Sequence, residues 1–497
     1  MRNHRTAAWL AGALAVALTG CGTTDPVPVS TDTAATKTPT ALTIYTDLPL
    51  AGSSGAIQRS IANGARLALE QWGHRVTYVQ HGHLRSFHVY LDPLNDADAS
   101  TGNWSQDLTA ANAQYAASKP TTVAYIGDFD SAATAISLQA ISPTGILQIS
   151  PWSPYIGFTD ANPADGKGDP ARFYPANGPT TFARLVPSDL AEAAATVTYM
   201  RESGVTRLYV LGDVSVFDAA IAQLVANEAP EAGITVVGLQ QGIDTQTNTQ
   251  PTGYAQIATA VAALRPDAVL LGGKPGAGAI ALWQERHTML PHAKLFAPST
   301  LATPTFLSGI AATPRTTSTT STTSTTSTTS TTSTTSTTST TSTTSASSTT
   351  SPSSTTSPSS TTSASSTTSS SSTTATRPTS AASATYVTSP ILEPYQYPAA
   401  AWVELAKYRT RFKTKPTAYA LYGYAAMRDV LLAIKRAGAE ATNRTALLKI
   451  FFHHLGVIGD VLGRYTINGY GDSSLQSFDG YRVSRSGQLV LVRRIPS

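Results

Sequence analysis

The stretch that decides the fold is TTVAYIGDFDSAATAISLQAISPTGILQISPWSPY, residues 121–155. Val123, Ala124, Tyr125 and Ile126 form a short apolar run that stops at Gly127. Ser131 opens a helical pattern whose apolar face is Ala132, Ile136, Leu138 and Ile141. A second apolar run, residues 146–149, ends at Ser150-Pro151. Short apolar runs bounded by turn residues, with a helix between them, spell a βαβ unit of a parallel sheet. Small ligands bind such sheets outside the carboxyl ends of the strands, beside helix amino ends. Residues 128–131 and 152–155 both fall there.

Outward toward the amino end, Arg2 and Arg5 precede an apolar segment at residues 7–18, and Leu18-Thr19-Gly20-Cys21 follows. A basic start, a short greasy core and small residues before a cut site describe an export signal. The core is shorter than the ~20 residues that span a bilayer as a helix. Leu-Thr-Gly-Cys is similar to a bacterial lipobox. Residues 1–20 are thus the expected signal peptide and Cys21 the expected lipidation site, holding the protein on the outer face of the bacterial cell membrane. The alternative is an ordinary secretory signal with a stray cysteine. Cys21 is the chain's single cysteine, so no intrachain disulfide is possible. Residues 21–40, rich in Thr, Pro and Val, read as a flexible tether.

The 497 residues suffice for two domains plus extras. A formal charge of +4 is small for that length and makes no case for nucleic acid. No later apolar run is long enough to cross a membrane.

The mature body opens with a strand at residues 41–50 and a Gly-Ser turn. Ile57, Ile61, Ala65, Ala68 and Trp72 then recur at helical spacing. A strand at 87–91 and a helix at about 104–117 lead into the opening unit, so the first lobe reads βαβαβαβ, doubly wound. After a loop-like stretch at 155–182, a second βα series begins. Its strands are expected at 207–212, 234–239, 268–271 and 295–297. Its helices are marked by residues 190–200, by Phe217, Ile221 and Leu224, by Tyr254, Ile257 and Val261, and by Ile280 and Trp283. Residues 316–345 then repeat Thr-Thr-Ser without interruption, and Ser/Thr dominance continues to about Thr374. Such a segment cannot bury enough apolar area to offset chain entropy, which predicts disorder. It interrupts the second lobe, and lengthening a loop about sevenfold costs only about 1.7 kcal/mol. A glycosylated or wall-spanning stalk and a repeat expansion without a role are both open readings of it. Helices at 401–412 and about 424–434 and strands at 464–467 and 481–492 close the chain.

Four patches in this order resemble a known family: VAYIGDFDS at 123–131 with Ile149-Ser150-Pro151; RLVPSD at 184–189; Pro266-Asp267-Ala268-Val269; and AYALYGYAAM at 418–427. Together they resemble the type I periplasmic binding proteins, and within them the branched-chain amino-acid (leucine-binding) subfamily that serves ABC importers. The resemblance implies an α/β fold of two doubly wound lobes joined by a three-strand hinge. Lobe 1 would be 41–184 plus 388–462. Lobe 2 would be 185–315 plus 376–387 plus 463–497, with 316–375 as the low-complexity insert. It also implies closure around a small-molecule ligand, and ABC permease and ATPase subunits as partners.

The resemblance places the ligand site residue by residue. Ser131, four positions after Gly127, stands where the family's serine meets a ligand carboxylate. A helix amino end offers unpaired N–H groups to such an anion, although Ser131 also suits a capping role. After Ile149-Ser150-Pro151 the family has a small residue and then a hydroxyl. Here Trp152, Ser153 and Pro154 follow, so Trp152 either stacks on the ligand or packs as core, Ser153 is the substitute hydroxyl, and Pro154 has no N–H to give. Phe217 holds the position of an aromatic residue that lies over the ligand. Lys274 stands where a further aromatic is usual. Ser299 stands where a carboxylate would pair a ligand ammonium. An unpaired buried ammonium costs several kcal/mol, so these departures predict a carboxylate-bearing or neutral ligand, unless Asp128, Asp130, Asp213 or Asp218 supplies the charge.

Other motifs carry less. Gly276-Ala277-Gly278 with Ala281 matches a loose dinucleotide fingerprint, but Ser299 and Thr300 stand where its acid belongs, so helix packing is the expectation and no cofactor is predicted. His81 and His83 in a loop read as solvated rather than metal-binding. No Gly-x-Ser-x-Gly elbow or HExxH pair gives enzyme chemistry a foothold. The expected function is therefore an extracytoplasmic substrate-binding lipoprotein of an ABC importer, holding an amino-acid-like, carboxylate or amide ligand. Two alternatives are a sensor that reports ligand to a signalling partner without transport, and a displayed stalk that binds nothing.

Overall fold

The runs at Ala41–Asp47, Thr122–Ile126 and Leu147–Ser150 are buried on both faces, as central strands of a parallel sheet must be when helices cover it on two sides. The computed structural model describes residues 40–52, 55–162, 168–249, 253–312 and 380–495. The expected signal segment, Cys21, the tether up to residue 39 and the Ser/Thr insert lie outside those residues.

In chain order the strands are β1 Ala41–Asp47, β2 Arg75–Gln80, β3 His83–Leu94, β4 Thr122–Ile126, β5 Leu147–Ser150, β6 Phe182–Arg184, β7 Arg207–Asp213, β8 Thr235–Ile243, β9 Ala268–Gly272, β10 Lys294–Ala297, β11 Thr385–Ser389, β12 Ile458–Asp460, β13 Gly463–Tyr465, β14 Phe478–Val483 and β15 Leu489–Ile495. The helices are α1 Gly55–Gln71, α2 Gln106–Ser118, α3 Ser131–Ile141, α4 Asp189–Glu202, α5 Val216–Glu228, α6 Tyr254–Ala263, α7 Ala277–Met289, α8 Pro304–Ala311, α9 Ala399–Phe412, α10 Tyr419–Ala437 and α11 Arg444–Lys449.

Two sheets result. The first runs β2-β3-β1-β4-β5-β6 and the second β15-β14-β11-β10-β9-β7-β8. Both are parallel through the middle, with antiparallel strands at one edge: β2 in the first, β14 and β15 in the second. The strand order reverses between β1 and β4 in one sheet and between β7 and β9 in the other. Those are the two topological switch points, where crevices open at the strand ends. The chain passes between the sheets three times, after β6, after β11 and after β13, and this is the two-lobed, three-crossing architecture of the expected fold class.

The first lobe differs from the simple βα alternation in one place. Residues 75–94 form a hairpin, β2–β3, instead of a loop and one short strand. Gln80 pairs with His83 around His81-Gly82, both at positive φ, the backbone of a two-residue I′ turn. The hairpin is largely exposed, so polar residues dilute the alternation that would reveal it. His81 and His83 lie at its exposed tip.

The first lobe's core joins the sheet to α1, α10 and α11. Helices α1 and α10 approach through glycines. A Cβ on Gly64 would overlap the Ala420 carbonyl, and one on Gly423 would overlap the Ile61 carbonyl. Gly423→Ala is therefore expected to destabilise the protein by about 1–3 kcal/mol, the usual cost of overpacking. A urea-unfolding midpoint unchanged by the substitution would show that the two helices do not cross this closely.

Candidate functional site

A cavity of about 250 Å³ lies at the paired switch points, lined from both lobes. Its first wall begins where β4 ends. Asp130 caps α3, its carboxylate accepting the Ala132 N–H at 2.8 Å. Ser131 Oγ accepts the Tyr155 N–H at 3.3 Å and faces the cavity. Phe129 stacks on Trp152, with ring centroids 5.5 Å apart and planes 8° apart, and Tyr419 backs Trp152 at 5.1 Å. Trp152 belongs to the lobe's core and also presents a face to the cavity. Trp104 and Asn103, from the loop after β3, and Gln58 of α1 complete this side.

The second wall carries Phe217, Asp218 and Ile221 of α5, Gln246, and the Lys274-Pro275-Gly276 turn after β9. Phe217 meets Tyr155 edge-on at 4.8 Å. The Lys274 backbone N–H is held by Thr245 Oγ1 at 2.8 Å, and its ammonium lies 3.5 Å from Asp218 and 3.6 Å from Asp130. Burial alone would lower the Lys274 pKa, but the carboxylates of Asp130, Asp218 and Asp213 outweigh it and leave the pKa above its usual value.

Of the six residues expected to meet a ligand, Ser131, Trp152, Phe217 and Lys274 line this cavity and Ser153 and Ser299 do not. Ser153 is fully buried behind the wall, its hydroxyl 2.5 Å from that of Thr134. Ser299 is turned inward by Glu192 of α4, whose carboxylate accepts its N–H at 2.6 Å and its hydroxyl at 2.7 Å. Thr300, one residue on, faces the cavity in its place.

Of the four acids left open as a partner for a ligand ammonium, Asp130 and Asp218 line the cavity and Asp128 and Asp213 do not. Asp130, Asp189 and Asp218 all line the cavity, against one lysine. Asp189 opens α4 directly after the first hinge crossing and is 3 % exposed. Its Oδ2 has no hydrogen-bond partner. Burial, followed by the nearby charge of Glu192, pushes its pKa up to about 8. Burial likewise raises Asp218 to about 7, even though Lys274 pulls the other way. Sequence reasoning placed Asp189 in a family-like patch yet missed it as a site residue. The legible signal was an acid opening a helix immediately after Pro187-Ser188.

Behind the first wall sit three more carboxyl groups, Asp47, Asp96 and Asp128, all fully buried, each offering an oxygen within 4.8 Å of the others. Tyr125 OH donates to Asp47 at 2.8 Å and to Asp128 at 3.1 Å, and Ser137 also donates to Asp128. Burial first, then mutual repulsion, raises Asp47 to about 8 and Asp128 well above the carboxylate range, while burial raises Asp96 to about 6.

No family model and no curated protein sequence matches the chain. Solved structures do. An ABC transporter substrate-binding protein from Desulfitobacterium hafniense in complex with leucine superposes at TM-score 0.58 and 15 % identity, covering 91 % of this chain and all of the other. A Rhodopseudomonas palustris solute-binding protein in complex with benzoate gives 0.59 and 13 %, covering 92 % and 96 %. A leucine-binding protein from Thermotoga maritima gives 0.58 and 16 %, covering 91 % and 98 %. The chain has the fold of the type I periplasmic binding proteins, the fold of these solute-binding neighbours. Among the described residues no helix is long and apolar enough to cross a membrane.

The raised carboxyl groups fix a pH dependence. Asp47, Asp96, Asp128, Asp189, Asp218 and Glu192 all titrate above the ~4 of an unfolded chain. Between about pH 4 and 8 the folded state holds protons that the unfolded state releases, so stability falls as pH rises. The melting temperature should be higher at about pH 5 than at about pH 8, and Asp47→Asn should flatten the slope. A melting temperature that climbs across that window would contradict the assignment of these groups as buried and proton-holding.

Proposed function

We propose that the protein is the extracytoplasmic substrate-binding component of an ABC importer, anchored through lipidated Cys21. It is not an enzyme. It closes its two lobes on a small amino-acid-like ligand and presents that ligand to a permease driven by an ATPase. The observation that carries this reading is the cavity at the paired switch points, with Asp189, whose Oδ2 has no hydrogen-bond partner, in its wall. The structural neighbours held in complex with leucine or benzoate support a small-molecule cargo. At about 250 Å³ the cavity lies just below the ~300–1,000 Å³ of drug-sized sites, which suits a metabolite of amino-acid size.

The lining chooses which end of such a ligand matters most. An amino group has Asp189 and Asp218 to meet, and a nearby ammonium stabilises the ionised form of both. An apolar or aromatic body has Phe129, Trp152, Phe217 and Ile221. The mouth of α3 is already occupied by the Asp130 carboxylate, and Lys274 is already paired. A free ligand carboxylate therefore finds less than the sequence led us to expect, whereas an amide or hydroxyl finds Ser131, Gln246 and Thr300.

A panel matched in its aromatic body and varied in charge tests this by calorimetry: phenethylamine, phenylalaninamide, phenylalanine and 3-phenylpropionate. The compounds that keep the amino group are expected to bind, with 3-phenylpropionate weaker by about tenfold or more, the worth of one charge-assisted contact. Asp189→Asn should cost the amines a similar factor. Tight binding of 3-phenylpropionate with none of the amines would reject the amine assignment. Silence across the panel and a broader set of metabolites would reject the binding role.

A further inference from the structure

Lys274 stands in an unusual place for a cleft built to take an amino group. Its backbone is pinned by Thr245 on the second lobe, and its side chain crosses the cavity to the first. The ammonium sits between Asp218 of its own lobe and Asp130 of the other, and 5.4 Å above the ring of Trp104, also of the other lobe. It is 14 % exposed. Among the described residues, Lys274–Asp130 is the ion pair that joins the walls across the cavity. The remaining pairs lie within one lobe or, as Arg184–Asp472, in the hinge crossings.

A buried carboxylate needs a counter-charge, and a cation over an indole face gains further attraction. Lys274 supplies both from within the chain. We propose that Lys274 is a specificity-determining residue that acts as a tethered stand-in for a ligand ammonium: it latches the empty lobes together and must be displaced from Asp218 and Asp130 when an amine enters. This rests on the reading that the cleft takes an amine-bearing ligand. The consequence is discrimination. A weak amine cannot outcompete a side chain held at high effective concentration, so only ligands with a well-fitting apolar body dislodge it.

The test removes the stand-in and returns it in solution. In Lys274→Ala the walls keep Asp130 and Asp218 without their cation, and n-butylamine carries the four-carbon stem and ammonium of a whole lysine side chain, one carbon more than the substitution removes. Thermal-shift measurements on the full mature protein should show n-butylamine stabilising Lys274→Ala and leaving the wild type unchanged. Affinity for phenethylamine should rise about tenfold in the variant, the factor expected when a partly buried internal ion pair no longer competes. Lys274→Arg should behave as wild type toward n-butylamine. If the variant gains nothing from n-butylamine and loses phenethylamine as Asp189→Asn does, Lys274 is a ligand contact and the latch is wrong, while the binding role stands. If n-butylamine rescues the variant although the wild type binds no amine in the panel, the latch stands and the amine assignment falls.

Discussion

Carboxyl groups are crowded at the strand ends of this protein, and the cost of burying them shapes everything near the cleft. Asp47, Asp96 and Asp128 lie behind one wall, Asp130, Asp189 and Asp218 line the cavity, and Glu192 sits just beyond. An isolated buried charge costs far more than a hydrogen bond returns. The molecule answers in three ways. Hydroxyls of Tyr125, Ser137, Thr109 and Ser299 bond to the hidden acids. Several acids keep their protons near neutral pH. One lysine is drawn across the cleft to the acids that remain. On the proposed reading, a ligand with an amino group would relieve the same imbalance as Lys274.

The crossings between the lobes are themselves held by charged groups. Arg184, at the end of β6, is fully buried, bonds the carbonyls of Ser153 and Tyr155 at 3.1 and 2.7 Å, and pairs with Asp472 of the third crossing at 2.8 Å. Asp479 of β14 accepts the Glu393 N–H from the second crossing at 3.1 Å. The three crossings are thereby tied to one another. Asp189 begins five residues after Arg184, which puts a cavity carboxyl on the hinge itself.

The two lobes were legible because parallel strands buried on both faces leave unbroken apolar runs, as at residues 123–126 and 268–271. The switch-point position of Ser131 and Trp152 followed from the same pattern. The β2–β3 hairpin was not legible, since an exposed hairpin with histidines at its turn has little apolar rhythm. The cleft's charge balance was legible only in part, Asp130 and Asp218 being visible at strand ends and Asp189 not. Ser299 and Lys274 were visible as departures at aligned positions, but what surrounds them comes from distant segments. Glu192 captures Ser299 from a helix 107 residues earlier, and Asp189 enters the cavity from the hinge. Contacts between segments so far apart leave no periodic trace in the chain.

The central claim is that the lobes close on an amine held between them. The most direct measurement is the distance between nitroxide labels on two exposed rim positions, Ala99→Cys of the first lobe and Val214→Cys of the second, by double electron–electron resonance. In the Lys274→Ala background, where the internal latch is gone, the account predicts a broad, longer distance without ligand that becomes shorter and narrower when phenethylamine saturates the protein. A distance distribution indifferent to bound phenethylamine would contradict it.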